Sequence, residues 1–141
     1  MAKSWRKTVI SAPESRVPRT RGPASAHAVS VGPFVFVTGQ SGRRPGEDGY
    51  VADPAEHARQ TMENIKGILE AAGSSFESVI KRTVHVANAK THEKMRPVIE
   101  SYFTSPVAST TLQGGLMRDD MLLEVEVVAV VPDWEPKDKD P

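Results

Sequence analysis

The sequence contains no cysteine. That excludes disulfides, thiol nucleophiles and cysteine metal sites, and leaves the redox compartment open. Its apolar stretches fall far short of the roughly 20 residues that span a bilayer. There is no excess of charge: 18 Lys and Arg balance 18 Asp and Glu, so nothing global points to nucleic acid or a membrane surface. The first ten residues, MAKSWRKTVI, carry charge but no apolar h-region; they do not read as a secretory signal, and the default compartment is the cytoplasm.

Several chemical signatures are missing too. His27, His57, His85 and His92 sit on four different segments without HxH or HExxH spacing, so no metal site is read, and no cofactor is implied. Ser25 and Ser109 lie in no GxSxG turn and read as polar lining. The Gly39–Gly49 loop lacks phosphate-loop spacing, and its Arg43 and Arg44 read as solvated rather than anion-binding. Arg16, Arg19 and Arg21 form a basic stretch without interleaved aromatics, which gives little support to a nucleic-acid partner.

What is present describes one domain. The chain has 141 residues, 38% hydrophobic and 26% charged, enough for a modest core that oligomerisation would reinforce. Residues 1–20 read as an irregular N-terminal arm with a possible strand near Thr8–Ile10, 21–132 as the folded domain, and 133–141 as a polar tail. His27–Val31 and Phe34–Gly39 predict two strands joined at Gly32-Pro33, the second buried on both sides because Phe34-Val35-Phe36-Val37 is apolar throughout. Asp53, Pro54 and Glu56 open a helix whose apolar positions run from Ala58 to Ala72 at helical spacing, stopped by Gly73. Ser78–Val86 predicts a strand with Val79, Lys81, Thr83 and His85 on one face. Thr91 caps a second helix to about Phe103, which Pro97 bends. Strands near Ser109–Gln113 and over Met121–Val131 complete an α+β order of ββ-α-β-α-ββ. With both helices on one sheet face, the other face is left for a partner. On the last strand it mixes Glu124 and Glu126 with apolar residues, which suits a subunit interface and predicts a homo-oligomer.

Four phrases at the joints of this order carry a resemblance: Val35-Phe36-Val37-Thr38-Gly39-Gln40, Gln60-Thr61-Met62-Glu63-Asn64-Ile65, Glu70-Ala71-Ala72-Gly73-Ser74-Ser75 and Glu124-Val125-Glu126-Val127. In this order and spacing the chain resembles the RidA (YjgF) family over roughly residues 20–132. The resemblance implies a chorismate-mutase-like mixed β-sheet with two helices packed on one face, trimerising as a barrel. It implies small-molecule ligands in clefts between subunits, and hydrolysis of reactive imines and enamines.

The same resemblance marks the site. Family deaminases grip the substrate carboxylate with an arginine in a Pro-Ala-Arg-Ser phrase, because a guanidinium offers a planar fork to two oxygens. The matching phrase here is Pro106-Val107-Ala108-Ser109, and Ala108 cannot hold a carboxylate. A family tyrosine aligns near Ser25, beside His27, and a family asparagine aligns with Arg96. Glu124 matches the glutamate that directs water, the one catalytic residue implied; Thr38, Gly39 and Thr110 match ligand-lining positions. Arg96, Thr38, Gly39, Ser109, Thr110, Ser25 and His27 are therefore the substrate-binding candidates, with Arg96 read as a relocated cation at the Glu124 cleft. Plainer readings stand beside these: Glu124 as an interface glutamate, Arg96 as a solvated helix residue, Arg118 as a surface ion pair. The expectation is a deaminase or hydrolase of a small C–N metabolite with altered specificity; the alternative is a non-catalytic module that binds such a metabolite.

Overall fold

A computed structural model describes residues 6–136; residues 1–5 of the expected arm and 137–141 of the tail lie outside them. The strands are β1 (Lys7–Ile10), β2 (Ala28–Val31), β3 (Phe34–Gln40), β4 (Val79–Val86), β5 (Ala108–Gln113) and β6 (Leu123–Val130), with helices α1 (Pro54–Ala71) and α2 (Ala89–Ser101). They form one mixed sheet in the order β1-β2-β3-β6-β4-β5. Only the β4–β5 pair is parallel, and α2 supplies the long crossover that a parallel pair requires.

α1 forms where the sequence predicts. The Asp53 carboxylate accepts from the Glu56 N–H at 3.0 Å, and Gly73 takes φ +76° just beyond the last turn. α2 is capped by Asn88, whose side chain accepts from the Thr91 N–H at 2.7 Å. Thr91 therefore stands inside the first turn rather than capping it. An Asx side chain three residues upstream competes well for that N–H.

Both helices lie on one face of the sheet. Met62, Ile65, Ile68 and Leu69 of α1 and Met95 and Ile99 of α2 are buried against Val35 and Val37 of β3, Val84 and Val86 of β4, and Leu123, Val125, Val127 and Ala129 of β6. The segment over 11–23 has no regular structure but is not loose: Val17 is fully buried in this core.

Two expectations about faces change. Phe34 and Phe36 are 43% and 50% exposed, so within the chain β3 is buried on one side only. Across the sheet Val9, Val29, Phe36 and Val128 fall in one row by register, on the face no helix covers. In β4 a register shift between Val79 and Lys81 turns Val79 to the helix side, while Lys81, Thr83 and His85 stay on the open face. A bulge inserts one residue and so inverts the alternation that period-2 reading assumes.

Candidate active site

β3 also carries a register shift, between Val37 and Gln40, which places Thr38 and Gly39 at a bulge beside Glu124 of β6. Bulges of this kind re-aim side chains and gather near active sites. Here the Glu124 side chain lies over the glycine: a Cβ at Gly39 would stand 2.9 Å from Glu124 Cδ. Burial pushes the Glu124 carboxyl above the ordinary 4.5, and Glu126 pushes the same way, while His85 opposes both.

Glu124 opens onto a pocket of about 550 Å³ whose lining includes Ser25, Thr38, Gly39, Ser41, Arg43 and Arg118. Four predicted residues, Glu124, Thr38, Gly39 and Ser25, are thus brought together in one chain. The Thr38 hydroxyl donates to the Ala26 carbonyl at 2.5 Å, so toward a ligand it can only accept.

Arg43 and Arg118, read from the sequence as a solvated residue and a surface ion pair, also line this pocket. Arg43 is partly buried, its guanidinium donating to the Arg19 carbonyl; burial and the neighbouring Arg21 lower its pKa. Arg118 pairs with Asp120 at 3.1 Å, yet also stacks 5.3 Å from the Tyr50 ring and lines the pocket. The ion pair expected of it is present; confinement to the surface is not. Arg44 alone of the Arg43–Arg44 pair is exposed. Buried Asn64 fixes this loop by donating to the Ser41 and Arg43 carbonyls at 3.1 and 2.9 Å. His57 does so from the other side: its Nδ1–H donates to the Val51 carbonyl at 2.7 Å, and its Nε2 accepts from the Gly42 N–H at 3.2 Å.

The remaining candidates lie elsewhere. His27 is buried, its Nδ1 accepting from the Ala12 N–H at 2.9 Å, so its Nε2–H donates to the Pro18 carbonyl at 2.8 Å. Both nitrogens are occupied by backbone, and His27 clamps the N-terminal segment instead of lining the pocket. Arg96 and Ser109 line a different groove, on the helix side, with Arg82 and His92. Register sets this division: Ser109 pairs with helix-facing Arg82, while Ala108 and Thr110 pair with Lys81 and Thr83 on the open face. Thr110 thus faces the same way as Glu124 but two strands away, about 10 Å at ordinary strand spacing. Within one chain, Arg96 is not a cation at the Glu124 pocket. Among the described residues no cluster of His, Cys, Asp or Glu converges as a metal site, and no helix is long and apolar enough to cross a membrane.

Residues 15–131 match the family described as Endoribonuclease L-PSP. A RutC family protein from Pyrococcus abyssi is 37% identical over 81% of this chain and 91% of its own. The chain belongs to the RidA (YjgF) family. A 2-iminobutanoate/2-iminopropanoate deaminase of Escherichia coli strain K12 is 29% identical over 72% of this chain and 83% of its own. The crystal structure of the YjgF gene product from E. coli superposes with a TM-score of 0.79, at 29% identity over 87% of this chain and 98% of that one. The RidA-type α+β sheet with two helices on one face is therefore the architecture of this chain, and relatives bearing deaminase names place imine deamination within its family.

Proposed function

We propose that this RidA-family chain hydrolyses a small imine, or the imine tautomer of an enamine, at the Glu124 pocket. The observation that carries the reading is Glu124 itself: a half-buried carboxylate over a strand bulge, opening onto a pocket that Arg43 and Arg118 also line. A raised pKa brings a carboxylate closer to the working range of a general base. In the reaction a water oxygen attacks the C=N carbon, and Glu124 takes the proton that water releases. Glu124 returns that proton to nitrogen, and as the carbinolamine collapses to a carbonyl compound its hydroxyl proton follows, so both water hydrogens leave on ammonia. The Thr38–Gly39 bulge keeps the carboxylate on the water side.

Ala108 leaves no guanidinium at the family's carboxylate-gripping position. Arg43 and Arg118 line the Glu124 pocket from the same chain, which supports an anionic substrate held from a different direction and hence an altered specificity. The open apolar row Val9–Val29–Phe36–Val128 supports association of copies through this face, in the trimer the family resemblance implies.

A second reading is a module that binds such a metabolite without turning it over. The engagement of the Thr38 hydroxyl with the Ala26 carbonyl favours it, because that hydroxyl then has no proton to give a ligand beside Glu124. Ammonia release from imino acids generated in situ decides between them. The enzyme reading expects release by the native chain and none by Glu124→Ala, and Arg43→Ala raises KM for imines bearing a carboxylate. No release from any imine tested, with the ligands still bound, establishes the binding module instead.

A further inference from the structure

The helix side of the sheet holds a charged group that the Glu124 pocket does not use. Arg82 of β4 is only 8% exposed. Its Nε donates to Ser109 Oγ at 2.9 Å, its Nη2 to the Glu100 carboxylate at 2.5 Å, and its plane stacks 4.6 Å from the Phe103 ring. Nη1 is buried and donates to nothing among the described residues. His92 Nδ1, on α2, is buried with no partner in the same sense. A buried donor without an acceptor is uncommon, and each one calls for an explanation.

The side chains that carry these orphan nitrogens, Arg82 and His92, both line one groove of about 470 Å³ between α2 and β5, with Arg96, Ser109 and Thr111. Arg96 makes no ion pair among the described residues. Burial and the adjacent Arg96 push the His92 imidazole below the usual 6.5, which favours its neutral form. Two guanidinium groups against the single Glu100 carboxylate leave the groove one positive charge in excess. Its orphan nitrogens, its two hydroxyls and that surplus charge all suit one ligand class.

We propose that this groove binds a small oxyanion. Arg82 Nη1 and Arg96 donate to it, and His92 supplies Nδ1–H in the matching tautomer. This site differs from the family cleft at position 108. Ser109 and Thr111 turn to the helix side, whereas Ala108, Thr110 and Glu124 face the other way.

Titration calorimetry of the full chain with acetate and, separately, with inorganic phosphate tests the proposal. Saturable binding of at least one probe is expected, and the stronger binder identifies whether carboxylate or phosphate geometry fits. Arg96→Ala should weaken binding about tenfold, the loss of one charge-assisted hydrogen bond. Arg82→Lys keeps the charge but removes the fork and should weaken it similarly. Arg96 is exposed, so its variant folds even if the Arg82 variant does not. Glu124→Gln should leave binding unchanged. Absence of saturable binding by either probe overturns the site, as does unchanged affinity in Arg96→Ala or a loss caused by Glu124→Gln. Ammonia release is not part of this readout, so the outcome is independent of the proposed reaction.

Discussion

His85 of β4 stands directly across from Glu124 of β6 in the antiparallel pair, on the sheet face no helix covers. Directly opposed residues have Cβ atoms about 5 Å apart, close enough for a protonated imidazole to favour the carboxylate. Burial outweighs this help, and the net direction for Glu124 is upward from 4.5.

The first prediction follows from that balance. If Glu124 acts as the base, ammonia release falls on the acid side with a midpoint above 4.5. His85→Gln moves the midpoint higher still, because the opposing charge is gone. Stability carries the opposite sign. The folded state holds the Glu124 proton more tightly than the unfolded chain, so folding stability drops as pH rises from 4.5 through the folded value. Glu124→Gln removes that loss. Thermal unfolding followed from pH 4 to pH 8 should show the variant gaining on the native chain as pH rises; a constant difference refutes the assignment.

A second prediction concerns Gly39. Its φ is not positive, so alanine strains no backbone there, but the new methyl meets the Glu124 carboxylate, with Cδ only 2.9 Å away. We expect Gly39→Ala to keep its circular dichroism spectrum and lose on the order of a hundredfold in kcat, the effect of displacing a reacting group by about 1 Å. Native kcat in a folded Gly39→Ala protein shows that the carboxylate position is not critical.

The third prediction separates a structural histidine from a binding one. His27→Ala leaves the Ala12 N–H and the Pro18 carbonyl without their partner, at a cost of about 1–3 kcal/mol for each buried group. Urea unfolding should show a loss of that order, and limited proteolysis should cut first within residues 11–23. KM should not change. A KM effect without loss of stability returns His27 to the pocket.

These residues also show how far sequence reading reaches. α1 was legible because its signals are local: a capping carboxylate, a first-turn proline, a 3.6-residue repeat and a terminal glycine within one short window. The alternation of β6 was legible for the same reason. Phe34 and Phe36 misled because an apolar run reports only that both faces avoid water, and one of those faces is closed by nothing among the described residues. Val79 misled because a bulge is a property of two strands together. Glu124, Thr38 and Gly39 came through the family resemblance. Arg43 and Arg82 have no signature at all: one is pinned by Asn64 from α1, the other buried beneath Phe103, and neither neighbour is close in sequence.

The last prediction concerns the uncovered face. A fully buried phenylalanine is worth roughly 2–3 kcal/mol relative to an exposed one. In a trimer every copy would bury its Phe36 together with Val9, Val29 and Val128, so the contribution multiplies over subunits. Light scattering coupled to gel filtration should give the native chain three times its 15.3 kDa mass. Phe36→Asp places a carboxylate in that apolar row and should return the mass to one chain. The α1 core lies on the opposite side of the sheet, so the variant should keep its helical spectrum. If ligand clefts form between copies, ammonia release should fall with assembly even though Glu124 is untouched. A native chain eluting at the mass of one copy would refute assembly through this face.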